Sequence, residues 1–283
     1  MENIIELQDF SFQYKDSDRF ALQHVDLSIA EGEFVGITGN SGAGKSTFTY
    51  ALSGIVPHHF PGDFYGSVKI HGMDTVEVKT EELARFVGEV FQDIDSQMVS
   101  SVVEDEILFG LENFGYSHEE IGERLKASLE RLGISDLLHR QISSLSGGQK
   151  QKVAIASILA LQPQIIVLDE PTGELDPEST IMIFEILKQL NEEFGKTIII
   201  VEQKIMMLCK YAKRLILLDQ GKVVFDGESK EIVQQLSLFD ELGISAPPVL
   251  RLGKKLEEDR FYSGSMPLDV DQAEKMVKEV LSC

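Results

Sequence analysis

EFVGITGNSGAGKSTFTYALSG, residues 33–54, joins a short apolar run, a glycine-rich turn and a pattern typical of a helix. A strand that enters a glycine loop and leaves as a helix is the local structure of a phosphate-binding loop. The strand that enters the loop is expected to belong to a buried sheet, because later apolar runs alternate with helical stretches. The sequence therefore predicts an α/β fold built around this loop.

Residues 39–46, GNSGAGKS, satisfy the pattern G-x-x-x-x-G-K-[ST]. Glycines let backbone N–H groups close around a β-phosphate without Cβ clashes, and Lys45 supplies a mobile positive charge for the β- and γ-phosphates. The Ser46 hydroxyl is a candidate Mg²⁺ ligand. A chance match in a chain of this length is roughly a 1 in 100 event from average composition. The candidate nucleotide-binding residues here are Asn40, Ser41, Gly42, Ala43, Gly44, Lys45, Ser46 and Thr47.

Composition narrows the functional class. The 283 residues carry 26 basic and 47 acidic side chains, a net charge of −21, which disfavours nucleic acid as a partner. The two cysteines, Cys209 and Cys283, stand in no metal-ligand spacing and favour a reducing compartment. Neither a signal pattern nor an apolar run of ~20 residues occurs. We expect a soluble, cytoplasmic chain that reaches a membrane only through a partner protein.

The remaining chain divides into segments of different periodicity. Two alternating stretches in the first thirty residues predict antiparallel strands, and residues 93–161 are expected to be mainly helical, with Ile121, Leu125, Leu129 and Leu132 on one apolar face. IIVLDE and TIIIVE predict buried parallel strands. RLILLDQGKVVFDG predicts a hairpin. Two short helices are expected near the C-terminus, the last with Val270, Ala273, Val277 and Leu281 on one stripe.

IIVLDE, residues 165–170, ends an apolar strand in two carboxylates. Asp169 is placed to hold Mg²⁺ through water, and Glu170 to orient or deprotonate an attacking water. An apolar strand that ends in acids is common, so the pattern alone is weak. Its position downstream of a phosphate loop makes it informative.

LSGGQ, residues 145–149, places a serine and two glycines at the start of a predicted helix. Such a turn offers a hydroxyl and backbone N–H groups to an anion, although Ser146 is also an ordinary helix N-cap. Between the phosphate loop and VLDE, this pentapeptide resembles the signature of ABC ATPases, and the resemblance covers residues 1–230. It implies a P-loop NTPase (RecA-like) α/β core with an antiparallel β subdomain, a helical signature subdomain at about residues 93–161, and a short α-helical C-terminal extension.

The resemblance also implies roles for individual residues. In that family two ATPase domains meet head to tail, so the signature residues Ser146, Gly147, Gly148 and Gln149 are expected to contact ATP bound by a partner. Gln92 matches the glutamine that senses Mg²⁺ and the attacking water. Asp176 matches the D-loop aspartate at the dimer interface. Tyr14 matches the aromatic residue that stacks on adenine, although strand aromatics are as often core residues.

One position departs from the family pattern. Gln203 in VEQK stands where the family has its switch histidine, and no histidine follows His139. An amide donates a hydrogen bond to a γ-phosphate but carries neither proton nor positive charge. We expect slow hydrolysis at this chain's own phosphate loop. The alternative is that Gln203 serves adequately as a donor.

Several stretches resemble one branch, the energy-coupling factor (ECF) importers of vitamins and transition metals. Among them are SGIVPHHFPGDFYGSVKIHGMDT and VFQDIDSQMVSSVVEDEILFGLEN. This resemblance implies an ATPase domain over residues 1–229 and a dimerisation or docking extension over residues 230–283. It also implies a second ATPase subunit, with a heterodimer favoured over a homodimer, a transmembrane scaffold subunit and a substrate-binding membrane subunit.

In this reading the chain lies at the cytoplasmic face of the membrane. Acidic side chains beside Gln92 are candidates to meet basic ends of the scaffold's helices, unless they only form a solvated acidic face. They are Asp93, Asp95, Glu104, Asp105 and Glu106. Two alternatives stay open: the ATPase of another ABC importer or exporter, and a soluble ABC protein outside transport.

Overall fold

A computed structural model describes residues 3–232, 235–244 and 246–282, so Cys283 lies outside the described residues. The strands are β1 (Asn3–Tyr14), β2 (Leu22–Ala30), β3 (Phe34–Gly39), β4 (Gly62–Ile70), β5 (Met73–Asp74), β6 (Val87–Val90), β7 (Ile165–Asp169), β8 (Thr197–Val201), β9 (Arg214–Asp219) and β10 (Lys222–Glu228). They form two sheets. This confirms the predicted α/β class.

The helices up to residue 161 include the one that follows the phosphate loop and those of the helical segment. They are α1 (Lys45–Leu52), α2 (Ile55–His58), α3 (Thr80–Leu83), α4 (Ile94–Gln97), α5 (Val103–Asn113), α6 (His118–Leu132) and α7 (Gly147–Leu161). The later helices are α8 (Pro177–Phe194), α9 (Ile205–Tyr211), α10 (Ser229–Ile232), α11 (Leu236–Glu241), α12 (Pro248–Glu258) and α13 (Val270–Ser282). Within the described ranges, none of these helices combines the length and apolarity that crossing a bilayer requires.

The two sheets differ in strand direction. The first, in the order β2-β1-β4-β5, is antiparallel, and the second has the order β10-β9-β3-β8-β7-β6. In the second sheet β9, β3, β8, β7 and β6 run parallel, and β10 returns antiparallel to β9 as the predicted hairpin. Parallel strands need crossover connections, which the intervening helices supply.

Apolar residues cover both faces of the larger sheet. Along β7, Ile165 and Val167 pack with the antiparallel sheet and α1, whereas Ile166 and Leu168 pack with the helical side. This explains why IIVLDE is continuously apolar rather than alternating: the strand has no solvent face. Because β3, β8, β7 and β6 run parallel, their carboxyl ends lie at one edge of the sheet, where ligands bind in such sheets.

The helical segment follows its sequence signals closely. Helix α6 begins at Ser117, whose side chain and that of Glu120 form a reciprocal capping box, and it ends at Gly133 in the left-handed conformation. The expected apolar face packs into the core, with Leu129 and Leu132 fully buried. The amphipathic pattern therefore placed this helix correctly.

The C-terminal extension packs onto the rest of the chain. Phe239, Ala246 and Leu250 are buried in the core cluster of the larger sheet and its helices. The side-chain amide of Asn40, in the phosphate loop, donates a hydrogen bond to the backbone carbonyl of Leu242. The extension therefore touches the phosphate loop directly.

The predicted last helix is present, but only part of its apolar stripe is buried. Val270 is 65% exposed and Leu281 is 81% exposed, whereas Ala273 and Met276 are buried. The helix packs through the positions 273 and 276, so the ends of the predicted stripe face solvent. Two short helices, α10 and α11, also precede the two that the sequence predicted.

Candidate functional site

The phosphate loop requires glycine at one position in particular. Gly44 has φ 100°, and a Cβ there would lie 2.4 Å from the Ala21 carbonyl oxygen. An L side chain is excluded both by the backbone conformation and by this close approach. The chain then enters α1 at Lys45, which leaves the first N–H groups of that helix facing the site.

Lys45 is folded against its own loop. Its Nζ donates to the carbonyl oxygens of Gly39, at 2.9 Å, and Asn40, at 3.0 Å, and only 7% of the residue is exposed. It also lies 3.9 Å from Oε1 of Glu170. The ammonium group is thus held at the mouth of the loop, beside the carboxylate of Glu170, the residue that follows β7.

Asp169 fits a hard cation. The residue is 2% exposed, and its Oδ1 has no hydrogen-bond partner among the described residues. Burial raises its pKa; the neighbouring Ser46 hydroxyl opposes this rise and the charge of Glu170 adds to it. A buried, unpartnered carboxylate oxygen beside a hydroxyl matches the oxygen ligands that Mg²⁺ prefers.

Two glutamine amides hold the Glu170 carboxylate. Nε2 of Gln203 donates to Oε1 at 2.8 Å, and Nε2 of Gln92 donates to Oε2 at 3.2 Å. Glu170 itself has φ 49°, a conformation that non-glycine residues adopt rarely. The ends of β6, β7 and β8 therefore meet at one carboxylate, with one donor on each oxygen. Sequence reasoning placed all three residues in the site but not this arrangement.

Tyr14 lines the phosphate-loop cavity, but its ring and hydroxyl are already in contact with protein. The hydroxyl lies 3.0 Å from Oγ1 of Thr47, and the ring makes edge contacts with Phe12 and Phe60. Burial raises the Tyr14 pKa, with the Thr47 hydrogen bond opposing. Its stacking on adenine stays a prediction.

The phosphate-loop cavity has a volume of about 330 Å³. Besides the loop, it is lined by the aromatic residue of β1 and by the carboxylate–amide cluster. The lining residues are Tyr14, Ala21, Ser41, Gly42, Gly44, Lys45, Ser46, Thr47, Gln92, Glu170 and Gln203. Ser146, Gly148 and Gln149 do not line it. The chain's own cavity thus lacks the signature residues.

The signature forms the start of α7. The Ser146 side chain accepts from the Gln149 backbone N–H at 3.3 Å, and the Gln149 side chain accepts from the Ser146 N–H at 3.0 Å. The N-cap role of Ser146 is therefore confirmed, and it leaves the positive end of the helix intact. Asp176 is likewise an N-cap: its side chain accepts from the Ser179 N–H at 2.9 Å, and this bonding lowers its pKa.

A second cleft, of about 630 Å³, lies beside Gln92. It is lined by Asp93 and Asp95 from the α4 turn and by Gly147 and Lys150 from α7. Asp95 is paired with Lys150 at 2.6 Å. The cleft is open to solvent at the junction of the helical segment and the larger sheet.

One of the candidate acids is not available to a partner. Glu106 is 8% exposed, and its Oε2 accepts from the N–H groups of Val99 and Ser100, at 3.0 and 2.8 Å. Its inclusion among the partner-facing acids is therefore wrong, because the carboxylate ties down the preceding loop. Glu104 is occupied by His139 at 2.9 Å, whereas Asp105 is exposed.

Sequence reasoning missed a buried network next to Gln203. Glu202 is 2% exposed and accepts from the Thr172 hydroxyl and, at 2.9 Å, from the Gln203 N–H. Nζ of Lys204 donates to the Thr172 carbonyl at 2.8 Å and to the Thr180 hydroxyl at 3.0 Å. The only signal was the polar triplet EQK at a strand end.

Comparison with known proteins identifies the family. The family model described as ABC transporter matches residues 22–173. The chain belongs to this family. It is an ABC ATPase, and the α/β core, the phosphate loop and the signature helix occupy the segments expected of one.

Individual ABC proteins are similar over nearly the whole chain. The energy-coupling factor transporter ATP-binding protein EcfA1 of Listeria monocytogenes is 36% identical and covers 94% of each chain. CbiO1 of Clostridium perfringens, part of the ABC transporter complex CbiONQ, aligns with a TM-score of 0.75 and 29% identity over 90% of this chain and 100% of its own. A dimeric ATP-binding cassette in a post-hydrolysis state, bound to ADP and Pi, aligns with a TM-score of 0.70 and 33% identity over 80% of this chain and 98% of its own.

Five further curated ABC relatives are longer than this chain, which spans 39–48% of their length.

Proposed function

We propose that this chain is the ATP-binding and ATP-hydrolysing subunit of an ECF-type importer, at the cytoplasmic face of the membrane, for a vitamin or transition metal. The observation that carries the proposal is the separation of the phosphate-loop cavity from the signature residues. Each chain supplies the phosphate loop of one nucleotide site and the signature residues of a second site, whose phosphate loop belongs to the partner. The similarity to the Listeria and Clostridium ATPases supports the ECF assignment.

The chemistry follows from the residues that meet at the strand ends. The loop N–H groups and Lys45 bind the β- and γ-phosphates, and Glu170 orients a water molecule for in-line attack and accepts its proton. Gln92 and Gln203 fix the Glu170 carboxylate by one hydrogen bond on each oxygen. When bound with ATP by Ser46, Asp169 and Gln92, Mg²⁺ neutralises charge that develops on the phosphates.

ATP shared between two chains makes hydrolysis a conformational switch. Signature residues of the partner lie over the γ-phosphate, so its removal takes away contacts that join the subunits. We expect Asp176, the N-cap of α8, to contact the partner across this interface. We favour a heterodimer, because Gln203 weakens one site. The relatives about twice as long have room for a second cassette of similar size.

Ser146→Arg tests the shared site. The long arginine side chain blocks the helix start that would close over the partner's γ-phosphate. We therefore expect ATP-dependent association of the ATPase subunits to be lost. Binding of ATP to the variant's own phosphate loop is expected to persist. Sedimentation of the purified ATPase pair with ATP, and ATP binding by each subunit, are the measurements. Unchanged association would contradict the proposal, and Ser144→Arg, three residues before the helix, is the matched control.

Gln203→His tests the departure at the switch position. We expect the variant to raise ATP turnover in the assembled complex by about tenfold, because histidine can carry the proton that an amide cannot. Gln203→Ala is the companion variant, since it removes the donor to Glu170. Lower turnover in the alanine variant together with unchanged turnover in the histidine variant would mean that the native amide already serves fully.

The cleft beside Gln92 is the proposed seat for a cytoplasmic helix of the transmembrane scaffold subunit. Asp93 and Asp95 line it, and Asp105 is exposed on the neighbouring helix α5. Charge attraction to basic helix ends orients such a partner more than it adds affinity. The substrate-binding membrane subunit joins through that scaffold. The extension, residues 230–283, is proposed to dock on the second ATPase, through exposed apolar residues such as Phe261.

Asp93→Asn combined with Asp105→Asn is expected to uncouple transport while ATP binding stays intact. The measurements are substrate uptake and nucleotide binding by the complex in vesicles. Asp136→Asn, an exposed acid elsewhere in the helical segment, is the control. Full uptake by the double variant would remove these acids from the scaffold interface.

A further inference from the structure

A cavity of about 250 Å³ lies between α6, the end of α7 and the end of α8, away from the phosphate loop. We name it the α6–α8 cavity. Its walls combine apolar side chains with three cationic ones, and they contain no carboxylate. The lining residues are Arg124, Ala127, Ser128, Arg131, Leu159, Gln162, Pro163, Ile166, Leu190, Phe194 and Lys196.

The three cations have no acidic partner among the described residues, in a chain of net charge −21. Nη1 of Arg124 donates to the Ala160 carbonyl at 3.1 Å, and Nζ of Lys196 donates to the Gln162 carbonyl at 2.9 Å. These bonds occupy one donor group of Arg124 and one of Lys196. The C-terminus of α7 contributes about half a negative charge, which does not neutralise three cations.

Arg131 is the least committed of the three cations. Its guanidinium lies over the Phe194 ring, 4.5 Å from the centroid, and donates to no carboxylate or carbonyl oxygen in the described part of the chain. A guanidinium in this position keeps its donors available for a planar, bidentate contact with an anion.

The convergence of like charges is costly without an anion. Burial lowers the pKa of Lys196, and the charge of Arg124 lowers it further. A bound anion would remove that repulsion. The floor of the cavity is apolar, with Ile166 and Leu190 almost fully buried, and the Phe194 ring forms one wall.

We propose that the α6–α8 cavity binds a small organic monocarboxylate whose carboxylate contacts Arg131 and Lys196 and whose compact apolar body covers the floor. A cavity of this volume is below the size of drug-sized ligand sites, so a ligand of one or two rings fits it. An inorganic anion would leave the apolar floor exposed to water. The proposal does not depend on the function proposed above.

The probe is 2-naphthoate, with 2-naphthamide as its neutral counterpart and sulfate as an anion without an apolar body. The chain contains no tryptophan, so the fluorescence of the naphthalene ring is read without indole background. We expect saturable binding of one 2-naphthoate per chain, and about tenfold weaker binding of the amide, because the charged hydrogen bonds are lost. Sulfate is expected to compete only weakly.

Arg131→Gln and Lys196→Gln are each expected to weaken 2-naphthoate binding about tenfold. Lys126→Gln is the matched control, since Lys126 lies on the same helix with its side chain 76% exposed and outside the cavity. Saturating ADP is expected to leave 2-naphthoate binding unchanged, which separates the cavity from the phosphate loop. Absence of saturable binding, equal binding of the amide, indifference to both cavity variants, or displacement by ADP would each overturn the proposal.

Discussion

Glu170→Gln is expected to lower ATP turnover of the assembled complex at least about a hundredfold, while ATP binding stays intact. The native carboxylate accepts from Gln203 on one oxygen and from Gln92 on the other. A glutamine at this position presents only one acceptor oxygen, so one of the two amide donors loses its partner. The variant also lacks the basicity that draws a proton from water. Both effects act on the chemical step.

The measurements are steady-state phosphate release and equilibrium binding of ATP by the same preparation. Glu192→Gln, an exposed carboxylate near the end of α8, is the control for a simple change of charge. Turnover within tenfold of the native complex would show that Glu170 does not act on the attacking water. Loss of ATP binding would instead indicate that the carboxylate positions Lys45, which lies 3.9 Å away.

Glu89→Gln is expected to change the pH dependence of stability. Glu89 is in β6 and 7% exposed, and neither carboxylate oxygen has a hydrogen-bond partner among the described residues. The nearby Thr49 and Ser53 hydroxyls donate instead to carbonyls of their own helix. Burial raises the pKa of Glu89 from 4.5 to about 7. The negative charge of Asp169 adds to this rise.

Proton linkage gives the direction in which Glu89 changes the stability of the fold with pH. The folded state binds the Glu89 proton more tightly than the unfolded chain, so this group destabilises the fold as pH rises from 4.5 to about 7 and stays constant above that. The full loss is about 3 kcal/mol. Between pH 5.5 and 8 the expected share is about 2 kcal/mol.

The test is the free energy of unfolding of the native protein and of Glu89→Gln, measured with urea at pH 5.5 and at pH 8. The lower pH stays above the sequence pI of about 4.6, where solubility is poorest. We expect the native protein to lose about 2 kcal/mol more than Glu89→Gln over this range. Glu81→Gln, an exposed acid in α3, should behave like the native chain. Parallel behaviour of Glu89→Gln and the native protein would mean that the carboxyl is not ionised on unfolding in this range.

The sequence was sufficient where function depends on local backbone or on strand ends. The glycine at position 44 and the lysine after it are fixed by phosphate geometry, so their pattern alone locates the loop. Asp169 and Glu170 follow an apolar run, and the parallel arrangement brings that run to the same edge as the loop. Ser146 was recognisable as a helix start because serine is a preferred N-cap residue, and the structure adds its reciprocal hydrogen bonds with Gln149.

Long-range side-chain contacts could not be obtained in this way. Glu106 has the composition of a surface acid, and only the loop that precedes it explains its burial. Glu89 occupies a position where strand periodicity predicts an apolar residue. The contact of Gln203 with Glu170 joins residues 33 positions apart, just after two neighbouring strands whose order no local pattern gives.

The hydrogen bond between Asn40 and the Leu242 carbonyl has a practical consequence for nucleotide studies. Any shortened protein that stops before residue 242 frees an amide group within the phosphate loop and alters the loop's resting conformation. Affinities for ATP measured on a fragment without the C-terminal extension are therefore not interchangeable with those of the 283-residue chain. Quantitative work on this ATPase needs the tail in place.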